Sequence, residues 1–112
     1  MTLRQKQSLF VTLVGRLIDK AGAEGYELTF GQAYRSPEEA ARLAREGKGI
    51  VASLHCDRLA VDFNLFREGV FLSSTESHRQ LGEWWEQLHP LCRWGGRFND
   101  GNHYSLTHGG RA

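Results

Sequence analysis

The sequence predicts an α+β fold in which a small antiparallel sheet is flanked by helices. Three segments carry apolar residues at helical spacing, and the short apolar or alternating segments between them are typical of strands. The chain has 112 residues, of which 40% are hydrophobic and 24% are charged, an ordinary composition for a globular protein. At this length we expect residues 1–112 to form a single domain.

The first segment is predicted to be a helix followed by a strand. The helix has one apolar stripe, formed by Leu9, Phe10, Leu13, Val14, Leu17 and Ile18. The glycine-containing segment 21–25 ends it, because glycine is favoured just beyond a helix C-terminus. Residues 26–30 alternate in polarity and are rich in strand-favouring types, so they are expected to form the first strand.

A second, shorter helix is expected to begin after Ser36. Ser36 occupies the N-cap position, Pro37 the first helical position, and Glu39 completes a capping box. Gly47 and Gly49 end this helix, and a loop leads from them to His55.

The second half of the chain is predicted to contain a hairpin, a third helix and a final strand. Residues 58–66 form a mostly apolar central strand, which the turn 67–69 connects to a strand at 70–72. Ser73 and Glu76 form a capping pattern before the third helix. Its apolar residues are Leu81, Trp84, Trp85 and Leu88, and Pro90 limits it. Residues 93–102 are expected to be a loop, and residues 103–106 the last strand.

Charge and hydropathy exclude several classes of function. Fourteen basic and thirteen acidic residues give a net charge of +1, which argues against nucleic acid as a partner. No apolar run approaches the roughly 20 residues that a membrane helix needs, so no membrane insertion is expected. The N-terminus has no continuous apolar region typical of a signal peptide, and we expect synthesis in the cytoplasm without one. Cys56 and Cys92 are expected to be free thiols.

An acidic residue in the predicted central strand is the first sign of a functional site. Asp62 lies among apolar neighbours, where a carboxylate needs either a salt bridge to an arginine or a bound cation. His55 lies seven residues earlier, so the two could converge only if His55 belongs to the preceding loop and the chain bends between them. His103 begins the last strand. Two histidines and one aspartate that converge would form an open zinc site, although each histidine could instead be structural or exposed.

Three motifs resemble those of the M15 zinc peptidases. The segment 53–62, Ser-Leu-His-Cys-Asp-Arg-Leu-Ala-Val-Asp, resembles the family's SxHxxGxAxD motif, with Arg58 where glycine is usual. The segment 94–104 is similar to the WGG…DxxHF segment of the lysin-like branch, and residues 34–36 are similar to its YRS element. The resemblance extends from about residue 26 to residue 106. The family includes D-alanyl-D-alanine carboxypeptidases, dipeptidases and the L-alanyl-D-glutamate endopeptidases of phage lysins.

The resemblance implies an M15/Hedgehog-type peptidase fold and a role for each matching residue. His55, Asp62 and His103 would bind Zn2+. Asp100 would be the general base and later the general acid. Arg35 would bind the substrate or polarise its carbonyl group. Ser53 and Trp94 are further candidates for contact with the substrate, and Trp94 could equally belong to the core.

The expected function is therefore a zinc-dependent peptidase that hydrolyses peptidoglycan stem peptides. An L-alanyl-D-glutamate endopeptidase of the phage or prophage lysin type is favoured, which would act as a monomer on the bacterial cell wall. The alternatives are a D-alanyl-D-alanine carboxypeptidase and a non-catalytic module that binds the wall or belongs to a virion. A cysteine hydrolase with Cys56 as nucleophile is a third, although the adjacent His55 is poorly placed to serve as its base.

Several other residues allow more than one interpretation. Glu86 and His89 form an acid-x-x-His unit similar to that of the dipeptidase branch. The tryptophan-containing helix that carries them is expected to be a core element, with Glu86 in solvent. His78 and His108 are expected to be exposed. Ser105 stands where lysin relatives often carry an acidic residue, which could alter the support of His103.

Overall fold

Helices and strands follow one another in mixed order along the chain. A computed structural model describes residues 1–50 and 52–112. It contains helices α1 (Leu3–Ala23), α2 (Pro37–Arg45) and α3 (Arg79–Leu88), and strands β1 (Glu27–Phe30), β2 (Ala60–Arg67), β3 (Val70–Leu72), β4 (Cys92–Trp94) and β5 (His103–Leu106). Short 3-10 helices span Leu54–Asp57, Glu76–His78 and Gly95–Phe98. The predicted α+β class is confirmed. Val51, in the loop predicted before His55, lies outside the described residues.

The long strand β2 is the centre of an antiparallel sheet. It pairs with β1 along one edge, and with β5 and then β3 along the other, while β4 extends the sheet beyond β5. In this register Asp62 of β2 lies directly opposite His103 of β5. Residues opposite each other in an antiparallel pair share a face of the sheet. The pairing therefore brings two of the predicted metal ligands together.

The two faces of the sheet have different environments. Val61, Phe63 and Leu65 of β2 are buried in the hydrophobic core, to which α1 and α3 also contribute. The intervening residues of β2 are less buried, as the two-residue period of a strand requires. Trp85 of α3 is fully buried and packs edge-on against Phe10 of α1. The face that carries Asp62 is consequently left free for a site.

Helix α1 and the β2–β3 hairpin agree with their sequence patterns. The predicted stripe of α1 faces the core, with Phe10, Leu13 and Leu17 buried and Ile18 exposed at its margin. Glu68 and Gly69 connect β2 to β3 with φ angles of 50° and 77°. Positive φ at both central residues matches the type I′ turn that joins two antiparallel strands with the least distortion.

Two local predictions are wrong. Residues 92–94 form strand β4, although most of them fell in a predicted loop, because β5 supplies backbone partners that a three-residue pattern cannot reveal. The turn before α3 is capped by Ser74, whose hydroxyl accepts a hydrogen bond from the amide of Ser77 at 3.1 Å. Ser73 is therefore one residue too early, and Glu76 pairs with Arg79 on the helix.

The two cysteines are free thiols, as expected. Cys56 and Cys92 are free, and burial raises the pKa of the Cys92 thiol to about 12, so that it remains protonated. No helix in the described part of the chain is long and apolar enough to cross a membrane.

His78 is buried, which contradicts the expectation that it is exposed. Only 2% of its surface is accessible, and its Nδ1 lies 2.8 Å from the hydroxyl oxygen of Tyr104. Burial disfavours the charged imidazolium and lowers the pKa of His78 to about 4. The neutral ring therefore forms part of the folded core.

We predict that protonation of His78 destabilises the fold between about pH 6.5 and pH 4. In this window the unfolded chain binds a proton that the folded protein excludes, so the free energy of unfolding falls as the pH falls, by roughly 3 kcal/mol. The stabilisation is fully present above pH 6.5. Urea unfolding at a series of pH values, followed by tryptophan fluorescence, measures this change.

The matched control is His78→Gln, which retains a polar group near Tyr104 but does not titrate. Every other titrating group is common to both proteins, so the difference between the two pH profiles isolates His78. Parallel profiles for the two proteins would contradict the prediction.

Candidate metal centre

Three predicted metal ligands converge on the free face of the sheet. His55 lies in the 3-10 helix before β2, as the predicted bend requires, and Asp62 and His103 face each other across β2 and β5. Asp62 Oδ1 lies 3.3 Å from His55 Nε2 and 3.4 Å from His103 Nδ1. One potential ligand atom from each residue lies within 4.8 Å of the others.

The donor set fits a divalent cation. His55 Nδ1 lies 3.3 Å from the carbonyl oxygen of Ala33, which can only accept a hydrogen bond. Nδ1 therefore carries the proton, and the lone pair of Nε2 points toward Asp62. Asp62 Oδ1 is buried and has no hydrogen-bond partner within the described residues. Two acceptors that face each other in a buried position are stabilised by a cation between them, and zinc commonly takes histidine and carboxylate ligands.

The electrostatic environment keeps Asp62 ionised. Burial by itself raises the pKa of the Asp62 carboxyl, but the neighbouring imidazoles of His103 and His55 outweigh this effect and lower that pKa to about 2. A carboxylate is the form that binds a metal. Asp62 is therefore ready to serve as a ligand at neutral pH.

A short loop brings Asp100 to the same centre. The amide of Asp100 donates to the carbonyl of Gly95 at 2.9 Å, and the amide of His103 donates to the carbonyl of Asp100 at 3.1 Å. A β-carbon at Gly95 would overlap the carbonyl oxygen of Asp100, so this tight turn requires glycine. Thr75 completes the support, because its hydroxyl accepts a hydrogen bond from the amide of Gly101 at 3.1 Å.

A cleft of about 360 Å³ joins the metal centre to the other predicted site residues. It is lined by the three candidate ligands together with Asp100, Arg35 and Ser53. Although Asp100 is exposed to the cleft, partial desolvation raises the pKa of its carboxyl, and the negative charge of Asp62 adds to this effect. The imidazoles of His103 and His55 and the guanidinium of Arg35 oppose the rise.

Arg35 is held in the cleft by neutral partners. Its Nε donates to Gln32 Oε1 at 2.6 Å and its Nη1 donates to the hydroxyl of Ser53 at 3.3 Å. The same hydroxyl accepts from the amide of His55 at 3.2 Å. Arg35 has no acidic partner among the described ion pairs, so no salt bridge in the described part of the chain neutralises its charge.

Trp94 is part of the core and does not face the cleft. It is fully buried, and its Nε1 donates to the carbonyl of Gly101 at 2.7 Å. A β-carbon at Gly82 or at Gly96 would overlap its indole ring, so these two glycines leave the space that the ring fills. Direct contact between Trp94 and a substrate is therefore ruled out as long as this packing is kept. Trp94 instead supports the loop that carries Asp100.

The cleft is also lined by residues that the sequence did not single out, among them Lys48, Ile50 and Phe98. Phe98 is 54% exposed and its ring centroid lies 6.0 Å from that of His103. Phe98 and Lys48 belong to the glycine-containing segments 95–98 and 47–49, which is the only local signal that could have drawn attention to them.

The competing arrangements do not form a second centre. Glu86 is mostly buried instead of solvated, because it accepts a hydrogen bond from the amide of Trp94 at 3.2 Å and pairs with Arg97. His89 Nδ1 accepts from the amide of Leu91 at 3.1 Å. The thiol of Cys56 lies 3.9 Å from the carbonyl oxygen of Ser36.

Two further predictions concern residues outside the cleft. His108 is half-buried instead of exposed, and its Nδ1 lies 3.0 Å from Lys6 Nζ. Ser105 is fully buried, and its hydroxyl has no hydrogen-bond partner in the described part of the chain.

Comparison with solved structures identifies the fold. The structure of the Serratia marcescens L-Ala D-Glu endopeptidase ChiX matches with a TM-score of 0.69 and 24% identity, over 86% of this chain and 78% of that one. A mutant of the vancomycin resistance D,D-pentapeptidase VanY from a VanB-type cassette, in complex with Zn(II), matches with a TM-score of 0.58 and 19% identity, over 88% and 71% of the two chains. The chain has the fold of these peptidases. No protein-family model and no curated protein matches it by sequence.

The bend before β2 explains the glycine expected at position 58. Arg58 has a φ angle of 57°, in the left-handed region that favours glycine. Its guanidinium lies 4.2 Å from the ring centroid of Tyr34, a contact that offsets part of the backbone strain. Arg58 therefore adopts the backbone conformation for which glycine is favoured.

We predict that Arg58→Gly is more stable than Arg58→Ala by about 1 kcal/mol. Both variants lose the contact with Tyr34, but only alanine retains the strain of the left-handed backbone. Urea unfolding of the two variants measures the difference directly. Equal stabilities would show that the backbone at position 58 is not strained.

Proposed function

We propose that this protein is a zinc-dependent peptidase that hydrolyses peptidoglycan stem peptides, with the L-alanyl-D-glutamate bond as the favoured target. The observation that carries the proposal is the buried Asp62 Oδ1, which lies between two imidazole nitrogens and has no other partner among the described residues. A shared fold with an L-Ala D-Glu endopeptidase supports the choice of bond. The phage or prophage lysin origin stays a prediction.

His55, Asp62 and His103 would hold the zinc ion, and these three protein ligands would leave a further position open. When bound, zinc supplies Lewis-acid polarisation of the scissile carbonyl and acidifies a water molecule. Asp62 is the ionised ligand, and the hydrogen bond from His55 Nδ1 to Ala33 orients the imidazole.

Asp100 is the residue suited to proton transfer. Its carboxylate would take a proton from the attacking water as the oxygen bonds to the carbonyl carbon. It would then return the proton to the amide nitrogen as the carbon–nitrogen bond breaks, which leaves a free amine and a carboxylic acid, and the acid loses its remaining proton to the solvent at neutral pH. The raised pKa of Asp100 favours the first transfer, because it makes the carboxylate a stronger base toward the proton of the attacking water.

Arg35 and Lys48 give one side of the cleft positive charge. The Arg35 guanidinium, oriented by Gln32 and Ser53, could stabilise negative charge that develops on the scissile carbonyl oxygen or bind a substrate carboxylate. This positive side also favours a second candidate function, a D-alanyl-D-alanine carboxypeptidase, because such an enzyme must bind a terminal carboxylate.

We predict that the purified protein binds about one zinc ion per chain and loses peptidase activity when a chelator removes it. Mass spectrometry of digested peptidoglycan distinguishes the two candidate bonds. Cleavage between L-alanine and D-glutamate exposes a new glutamate amine, whereas carboxypeptidase action releases free D-alanine. Zinc-loaded protein that binds cell walls but releases neither product would indicate a non-catalytic module.

We predict that Asp100→Asn retains zinc but lowers the rate of hydrolysis by roughly 10²- to 10⁴-fold, because the amide cannot accept the proton. The matched control is Glu86→Gln, which alters the competing acidic residue outside the cleft and should leave the rate close to that of the wild type. Digestion of peptidoglycan at saturating zinc measures both rates. Loss of activity in the control alone would transfer the catalytic role to Glu86.

A further inference from the structure

His55 is carried by a short helical segment that is not part of the sheet. The 3-10 helix Leu54–Asp57 has four residues and ends at Arg58 in the left-handed conformation. Asp62 and His103, in contrast, are fixed by strand pairing in the sheet. The middle of the helix is tied to the rest of the protein by the buried Leu54 and by the carbonyl of His55, which accepts a hydrogen bond from the amide of Arg35 at 3.2 Å. Side-chain contacts at its two ends complete the placement of His55.

Arg111 makes such contacts on both sides of His55. Its Nη1 donates to the carbonyl of Ala52 at 3.0 Å, and its Nη2 pairs with Asp57 Oδ2 at 2.7 Å. Ala52 and Asp57 bracket His55 along the chain. One planar guanidinium thus connects the two ends of the segment that carries the ligand.

The segment around Arg111 is itself attached to the body of the protein. Arg111 Nε donates to the carbonyl of His108 at 3.2 Å, and the backbones of His108 and Arg111 exchange hydrogen bonds. The amide of Thr107 donates to the carbonyl of Leu91 at 2.8 Å, directly after β5. Arg111 therefore connects the segment after β5, the strand that carries His103, to the helix that carries His55.

Helix α1 supports the same end of the His55 helix. The side-chain amide of Gln7 donates to the carbonyl of Asp57 at 2.8 Å. The pair between Arg111 and Asp57 is partly exposed, at 31% and 27% of the two side chains, so it contributes little to the overall stability. What this ion pair affects is the position of the helix that carries His55.

We propose that Arg111 is a positioning residue for the metal centre, which holds the His55 helix so that His55 Nε2 stays within reach of an ion bound by Asp62 and His103. The inference rests on the proposed zinc site. No atom of Arg111 needs to touch the ion or the substrate, since the residue acts through Ala52 and Asp57.

Zinc affinity, measured by competition with a chromophoric chelator, tests the proposal without any assay of hydrolysis. We expect Arg111→Ala to weaken zinc binding about 10-fold, as is usual when a residue that supports a metal ligand is removed. Arg111→Lys should recover part of the loss, because lysine can still pair with Asp57. Asp57→Asn should weaken binding in the same direction, and it serves as the test should Arg111→Ala fail to fold.

The absorption spectrum of the cobalt-substituted protein supplies a readout that general destabilisation would not move. A displaced His55 alters the coordination and hence the visible bands of Co2+ in Arg111→Ala. The matched control is Arg42→Ala, which removes an arginine that pairs with Glu39 and Glu46 on the surface of α2. It should leave both zinc affinity and spectrum unchanged.

The results separate this inference from the proposed function. Wild-type zinc affinity and an unchanged cobalt spectrum in Arg111→Ala and Asp57→Asn would overturn the role of Arg111 and leave the zinc peptidase proposal standing. A wild-type protein that binds no zinc would overturn both.

Discussion

The carboxylate of Asp62 is a charge placed in the middle of an apolar central strand. Such a group is stable only when donors or a cation compensate for its lost hydration. The structure surrounds it with two imidazoles, one from the neighbouring strand and one from the short helix before β2. Three otherwise separate parts of the chain are thereby brought together around a single oxygen atom, and the cleft opens beside them.

The hydrophobic core and the candidate metal centre lie on opposite faces of strand β2. The alternation that turns Val61 and Phe63 toward the helices turns Asp62 toward the cleft. The core also controls the loop on the far side of the centre, because buried Trp94 holds the carbonyl of Gly101 next to Asp100. A change in the packing of Trp94 would consequently alter the position of the Asp100 carboxylate, the candidate catalytic group.

Short-range patterns predicted the parts of the fold that depend on neighbours in sequence. The stripe of α1, the N-cap at Ser36 and the hairpin turn at Glu68 and Gly69 were all predictable, since each follows from local spacing or backbone preference. Strand β4 was not, because its hydrogen bonds come from β5. The burial of His78 could not be predicted from local sequence either, because its hydrogen-bond partner, Tyr104, lies twenty-six residues away.

The residue types needed for a metal centre, and the bend that His55 requires before β2, could be recognised from the order of the chain alone. Which aromatic and acidic side chains face the cleft was decided by long-range packing. Trp94 is buried in the core, whereas Phe98 is exposed and lines the cleft. Glu86 forms an ion pair with Arg97 outside the cleft, whereas Asp100 lines the cleft beside the metal centre. The physical reason is that the direction of a side chain depends on the volume and hydrogen-bond partners around it, and distant segments supply both.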